Sequence, residues 1–161
     1  MTSTVSGSLA GLAEAVEGTA FATWATESAL AYPVANTAHV IGAILLVGAI
    51  GLLDLRLLGY AKGAPLSVLS RALTPMALLG FTVMVISGSV LFAADAGALA
   101  ASGLFQIKLV LIALAGMNAL AFRFAFARAE DPVPVGAKVM AVASLGLWLV
   151  VVVAGRWIAY A

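Results

Sequence analysis

From Val34 to Leu53 the chain carries no formal charge. At about 1.5 Å per residue, roughly 20 such residues in a helix cross the ~30 Å hydrocarbon core of a bilayer. Lipid offers no partner to a bare backbone N–H or C=O, so a stretch of this kind is restricted to helix or closed barrel. Three more stretches repeat the pattern. Leu73–Ala94 has no charge, Ala96–Phe122 has only Lys108, and Val139–Gly155 has none. The spacing predicts spans over residues 34–58, 73–94, 103–125 and 137–158. The expected architecture is an all-α integral membrane protein, a four-helix transmembrane bundle over 33–161, with residues 1–32 ahead of it.

Composition excludes several chemistries. Apolar residues make up 64% of the chain and charged ones 9%, with a mean hydropathy of +1.16. There is no cysteine, hence no disulfide, thiolate nucleophile, iron–sulfur cluster or Cys-zinc site. The eight basic residues are scattered at helix ends rather than gathered on one face, which gives no nucleic-acid footprint.

Residues 1–32 contain Glu14, Glu17 and Glu27 but no Lys or Arg. A secretory signal starts with positive charge, so this segment is expected to be mature sequence. Thr19 is placed to cap a short amphipathic helix lying at the interface, with Trp24 and Tyr32 at headgroup level and Pro33 opposing continuation. For residues 1–18 a partly ordered tail is the close second reading. Pro75 is expected in the first turn of the second span, where its missing N–H costs least. Asp95 is expected in a loop. Gly42, Gly48, Gly51, Gly80 and Gly88 read as positions of close helix approach.

Arg56, Lys62 and Arg71 surround the first connection, and Arg123, Arg128 and Lys138 the third; the second and the N-terminal segment have no base. The positive-inside rule then places both termini outside and the two basic connections in the cytoplasm.

The protein's single histidine, His39, falls within the first span, and an intramembrane ionisable group is a functional-site candidate. Helical spacing puts Asn36, His39, Ala43, Leu46 and Ile50 on one stripe facing the bundle interior. Lys108, Asp95, Arg156 and Trp157 are expected at the level of His39. A neutral imidazole can serve as an axial haem ligand, or it can simply hydrogen-bond a neighbouring helix. Lys108 can snorkel, pair with Asp95 or meet a ligand carboxylate. Met76, Met84, Met117 and Met140 lack the close spacing of a copper(I) site and read as packing. Asp54 and Arg56 read as an interfacial anchor. No acid–base dyad, triad or metal-ligand cluster is legible.

The runs Tyr32-Pro33, His39-Val40-Ile41-Gly42, Leu53-Asp54-Leu55-Arg56-Leu57-Leu58-Gly59, Leu69-Ser70-Arg71-Ala72-Leu73-Thr74-Pro75, Phe105-Gln106-Ile107-Lys108-Leu109 and Gly116-Met117-Asn118-Ala119-Leu120 resemble an uncharacterised family of small bacterial four-helix membrane proteins. More distantly, His39, Arg71, Pro75 and Lys108 sit as in the CopD-like copper-resistance membrane proteins and the HemJ-type protoporphyrinogen oxidases. The resemblance implies haem b, with His39 and Lys108 functionally important. Close relatives often carry a histidine where Asn118–Phe122 runs into Arg123; this chain has none there. Three functions are expected candidates: a haem-b-binding membrane redox protein using His39 as metal ligand, with Asn36, Lys108, Asp95, Arg156 and Trp157 around the cofactor; an accessory subunit that forms a homo-oligomer or packs on a partner membrane subunit; and a small transporter or channel.

Overall fold

The computed structural model describes residues 2–60, 62–126, 131–158 and 160; Arg128, counted above among the bases of the third connection, lies outside them. The described chain is helical, in seven pieces: α1 Thr2–Glu17, α2 Ala20–Glu27, α3 Ala31–Leu58, α4 Leu66–Ala94, α5 Ala96–Ala101, α6 Gly103–Phe126 and α7 Val135–Ile158. Helices α3, α4, α6 and α7 are long and apolar enough to cross a membrane. Four crossings bring both ends of the chain to one end of the bundle, called here the terminal end. Arg56, Lys62, Arg71, Arg123 and Lys138 gather at the opposite, basic end.

Helices α3 and α4 form the tightest pair, and glycine is the reason. A Cβ built on Gly80 would lie 2.6 Å from the Leu46 backbone nitrogen and 2.7 Å from the Gly42 carbonyl oxygen; one on Gly42 would lie 2.9 Å from the Gly80 carbonyl oxygen. Between helices already surrounded by lipid, exchanging lipid contacts for protein contacts gains little from hydrophobicity, so close backbone packing supplies the attraction. Gly48 has nothing within 4 Å of its would-be Cβ, and Gly51 meets only Leu145 at 3.9 Å. The expectation that all these glycines mark contacts holds for Gly42 and Gly80 and fails for Gly48, which faces away from the pair.

Helix α7 packs on α3, and α6 packs on α7. One shared core, made of Leu46, Ala49, Ala77, Ala115, Trp148 and Val151, joins all four spans. Helix α6 is the loosest member; Ala115 is its buried residue. The Asn118 amide ties α6 to α7 by donating to the Met140 carbonyl at 3.1 Å. Asn118→Leu is expected to cost about 1 kcal/mol, the usual worth of one interhelical hydrogen bond in a membrane, measured by equilibrium unfolding in detergent.

The two ends differ from expectation in instructive ways. The N-terminal segment forms two helices. Thr19 caps α2, accepting from the Ala22 N–H at 3.2 Å, and Phe21 stacks on Trp24 at 5.8 Å between centroids. Residues 2–17 are no tail: α1 docks on α5 through Ala13, Ala96 and Ala100, and Glu17 accepts the Gly97 N–H at 2.8 Å. Pro33 sits in the first turn of α3, whose N–H groups lack helical partners anyway, so the helix starts before it. Pro75 by contrast lies inside α4, because the helix-compatible run Leu66–Ala72 extends it by two turns beyond the predicted start. The expected loop at Asp95 is one irregular residue, φ −151° and ψ 49°, between α4 and α5.

Candidate functional site

On α3 the buried residues of the middle turns are Ala35, Gly42, Leu46 and Ala49. The interior stripe is therefore turned slightly from the predicted one, because the glycine pair, rather than apolar content, decides which face meets α4. Asn36 is exposed in consequence, and His39 is half-buried at the edge of the α3–α4 contact.

The His39 ring rests on the backbone of α4. A Cβ on Gly88 would lie 3.2 Å from its Cε1 and 3.5 Å from its Nδ1. Its Nδ1 is 3.0 Å from the Ser87 Oγ, and the Ser87 hydroxyl donates to the Val83 carbonyl at 2.6 Å. A hydroxyl has one proton and two lone pairs. With that proton committed to Val83, Ser87 accepts from His39, and the hydrogen-bond network assigns the ring proton to Nδ1. The lone pair of the neutral ring is then on Nε2. Ser87 carried no signal of its own in the sequence; its place beside Gly88, a position of close approach, was the available cue.

Lys108 reaches the same level from the other side. Its Nζ lies 3.2 Å from the position of a Gly155 Cβ on α7. His39, held by α3 and α4, and Lys108, held by α6 and α7, thus share the terminal half of the interior. The remaining candidates do not join them. Asp95 is exposed and lines a cleft of about 320 Å³ with Glu17, Thr23, Thr26 and Glu27. Arg156 lies over the Tyr160 ring, 4.6 Å from its centroid, and Trp157 is 64% exposed. Among the described residues no group of three His, Asp or Glu is arranged to hold a metal ion. Met76 and Met117 are exposed, while Met84 packs on Gly42.

The basic end holds a second polar cluster. Arg56, 2% exposed, is no interfacial anchor. Its Nε donates to the Ala64 carbonyl at 2.8 Å and its Nη2 to Asp131 Oδ2 at 2.6 Å, joining both connections to the end of α3. The αL residue Gly59, φ 108°, closes that helix with the Tyr60 N–H bonded back to the Leu55 carbonyl, which turns the chain toward Ala64. Asp54 is also buried and meets Ser144 on α7. Asp54 Oδ2 and Arg56 Nη1 have no hydrogen-bond partner among the described residues.

The Arg56 hydrogen bond holds the Asp131 carboxyl below its usual range, with the charges of Arg56, Lys62 and Lys138 adding to it. A carboxyl depressed in the folded state stabilises the fold above its unfolded value, near 4, and loses that contribution as pH falls through the folded value. Asp131→Asn is therefore expected to melt below the parent at neutral pH. The gap should close only below about pH 4, and thermal melts across that range measure it.

Comparison with protein-family models, curated proteins and solved structures found no match.

Proposed function

We propose that the chain is a haem-b-binding redox protein of a bacterial inner membrane, with both termini periplasmic and His39 as the iron ligand. One observation carries the reading: Ser87 accepts from Nδ1–H of His39, which leaves the ring's lone pair on Nε2, within the membrane. That is the arrangement metal-bound histidines use, the far nitrogen being fixed by a hydrogen bond that orients the ring. The resemblance of the His39 and Lys108 segments to the HemJ-type proteins supports it, as does the ammonium of Lys108, suited to a propionate.

Of the residues present, His39 is the one that would hold the iron. The chain has no second histidine, and Met84 is committed to the α3–α4 crossing. Bound haem would supply a one-electron couple. The protein's own part is to orient the imidazole through Ser87 and to hold the Lys108 ammonium in the same half of the interior, against Gly155.

The test is an absorption spectrum of the purified protein, oxidised and dithionite-reduced, with a pyridine haemochrome assay. A Soret band that shifts on reduction at near-stoichiometric haem is expected. A protein that stays colourless after haem is supplied during expression would end this reading. A second reading, an oligomer-forming accessory subunit, draws on the lipid-exposed surface of α6 and predicts a stoichiometric partner or second copy in mild detergent.

A further inference from the structure

We propose that the cleft at the basic end, between the close of α3 and the start of α7, binds the phosphate group of an anionic phospholipid. The cleft has a volume of about 110 Å³ and is lined by Leu57, Gly59, Lys62, Asp131, Pro132, Val133 and Lys138. It combines an apolar floor, Leu57 and Val133, both buried, with an exposed rim of two lysines. Such a pairing suits a headgroup whose acyl chains continue along the helices.

The local charge balance favours an anion. Asp131 is engaged by Arg56, while Lys62 and Lys138 both act on its carboxyl from nearby. Among the described residues, three cations therefore surround one carboxylate, and each lysine lacks an ion-pair partner within 4 Å. The cleft lies where two apolar spans end, at headgroup depth, and basic pockets between spans recruit anionic headgroups there. Its size matches a phosphate and not a nucleotide. The inference stands apart from the haem reading, since no residue is shared with the His39 site.

The experiment uses the full chain in a mild detergent, with thermal melting followed as phosphatidylglycerol, phosphatidylcholine or inorganic phosphate is added. Phosphatidylglycerol should raise the melting temperature more than phosphatidylcholine. Lys62→Gln with Lys138→Gln should weaken that effect by about thirtyfold in the concentration required. Both side chains are exposed, so the double variant should keep its helix content. Arg71→Gln with Arg123→Gln removes the same charge from the same end, outside the cleft, and should leave the response in place. Equal responses to the two lipids, or equal losses in the two double variants, would overturn the proposal. A response to inorganic phosphate with none to phosphatidylglycerol would overturn the lipid as its source.

Discussion

Gly80→Leu is expected to cost about 3 kcal/mol or more and to force α3 and α4 apart. The obstacle is backbone, not a movable side chain. Even the first carbon of the new side chain would stand 2.6 Å from the Leu46 nitrogen and 2.7 Å from the Gly42 carbonyl oxygen, and neither atom can swing aside without moving a helix. Separation would also pull Ser87 and Gly88 away from His39, so the site and the fold should fail together. Gly48→Ala is the matched control. With open space around its would-be Cβ, it should be neutral or slightly stabilising, since alanine is favoured over glycine in a helix by about 1 kcal/mol. Equilibrium unfolding in mixed detergent measures both. Parent-like stability in Gly80→Leu would mean that the close crossing is not what holds the pair.

His39→Ala should abolish haem binding altogether while the bundle remains inserted. Half-buried at the edge of the α3–α4 contact, the imidazole contributes little packing that a helix pair joined at Gly42 and Gly80 cannot do without. Ser87→Ala should be milder: Nε2 persists, but the ring loses the acceptor that fixes its tautomer and orientation. Losses of about 10–100-fold in affinity accompany removal of such partners. Haem titration followed at the Soret band reads both variants, with circular dichroism as the check on folding. A full haem complement in His39→Ala would remove this residue as the ligand. Equal losses in both variants would assign Ser87 more than a supporting role.

The spans were legible because a bilayer imposes a length and an apolar character that composition reports directly. The predicted 34–58, 103–125 and 137–158 each lie within three residues of the observed ends. The second start, 73, came seven residues late, because a proline was read as a helix beginning. Proline breaks the ladder at one N–H only, and α4 continues past it. Thr19 was legible too, being a local cap whose bond to Ala22 needs no tertiary partner.

The site was legible only in part. His39 and Lys108 stand out as charged or titratable groups within apolar stretches, a signal that a single sequence carries. Asn36, one turn from His39, was grouped with it by periodicity alone and proved exposed. Periodicity specifies which residues share a face, yet in a helix as uniformly apolar as α3 it does not say which face turns inward. Arg56 was misjudged for a related reason. Its depth depends on Ala64 and Asp131, which reach it from two separate connections and bury a charge that the sequence places at a helix end.

The chain by itself thus determined the number of membrane crossings, their approximate limits, the basic and terminal ends, and the presence of one histidine inside a span. Those properties follow from residue-by-residue transfer between water and lipid, which is local and additive. Only the tertiary structure decided that Gly42 meets Gly80, that Ser87 and Gly88 support His39, that Lys108 lies against Gly155 of α7, and that Arg56 is sealed beneath Asp131. These are matters of rotation and contact between helices of similar hydropathy. Lipid presses on every face of such a helix alike, so backbone proximity and a few polar pairs choose the arrangement.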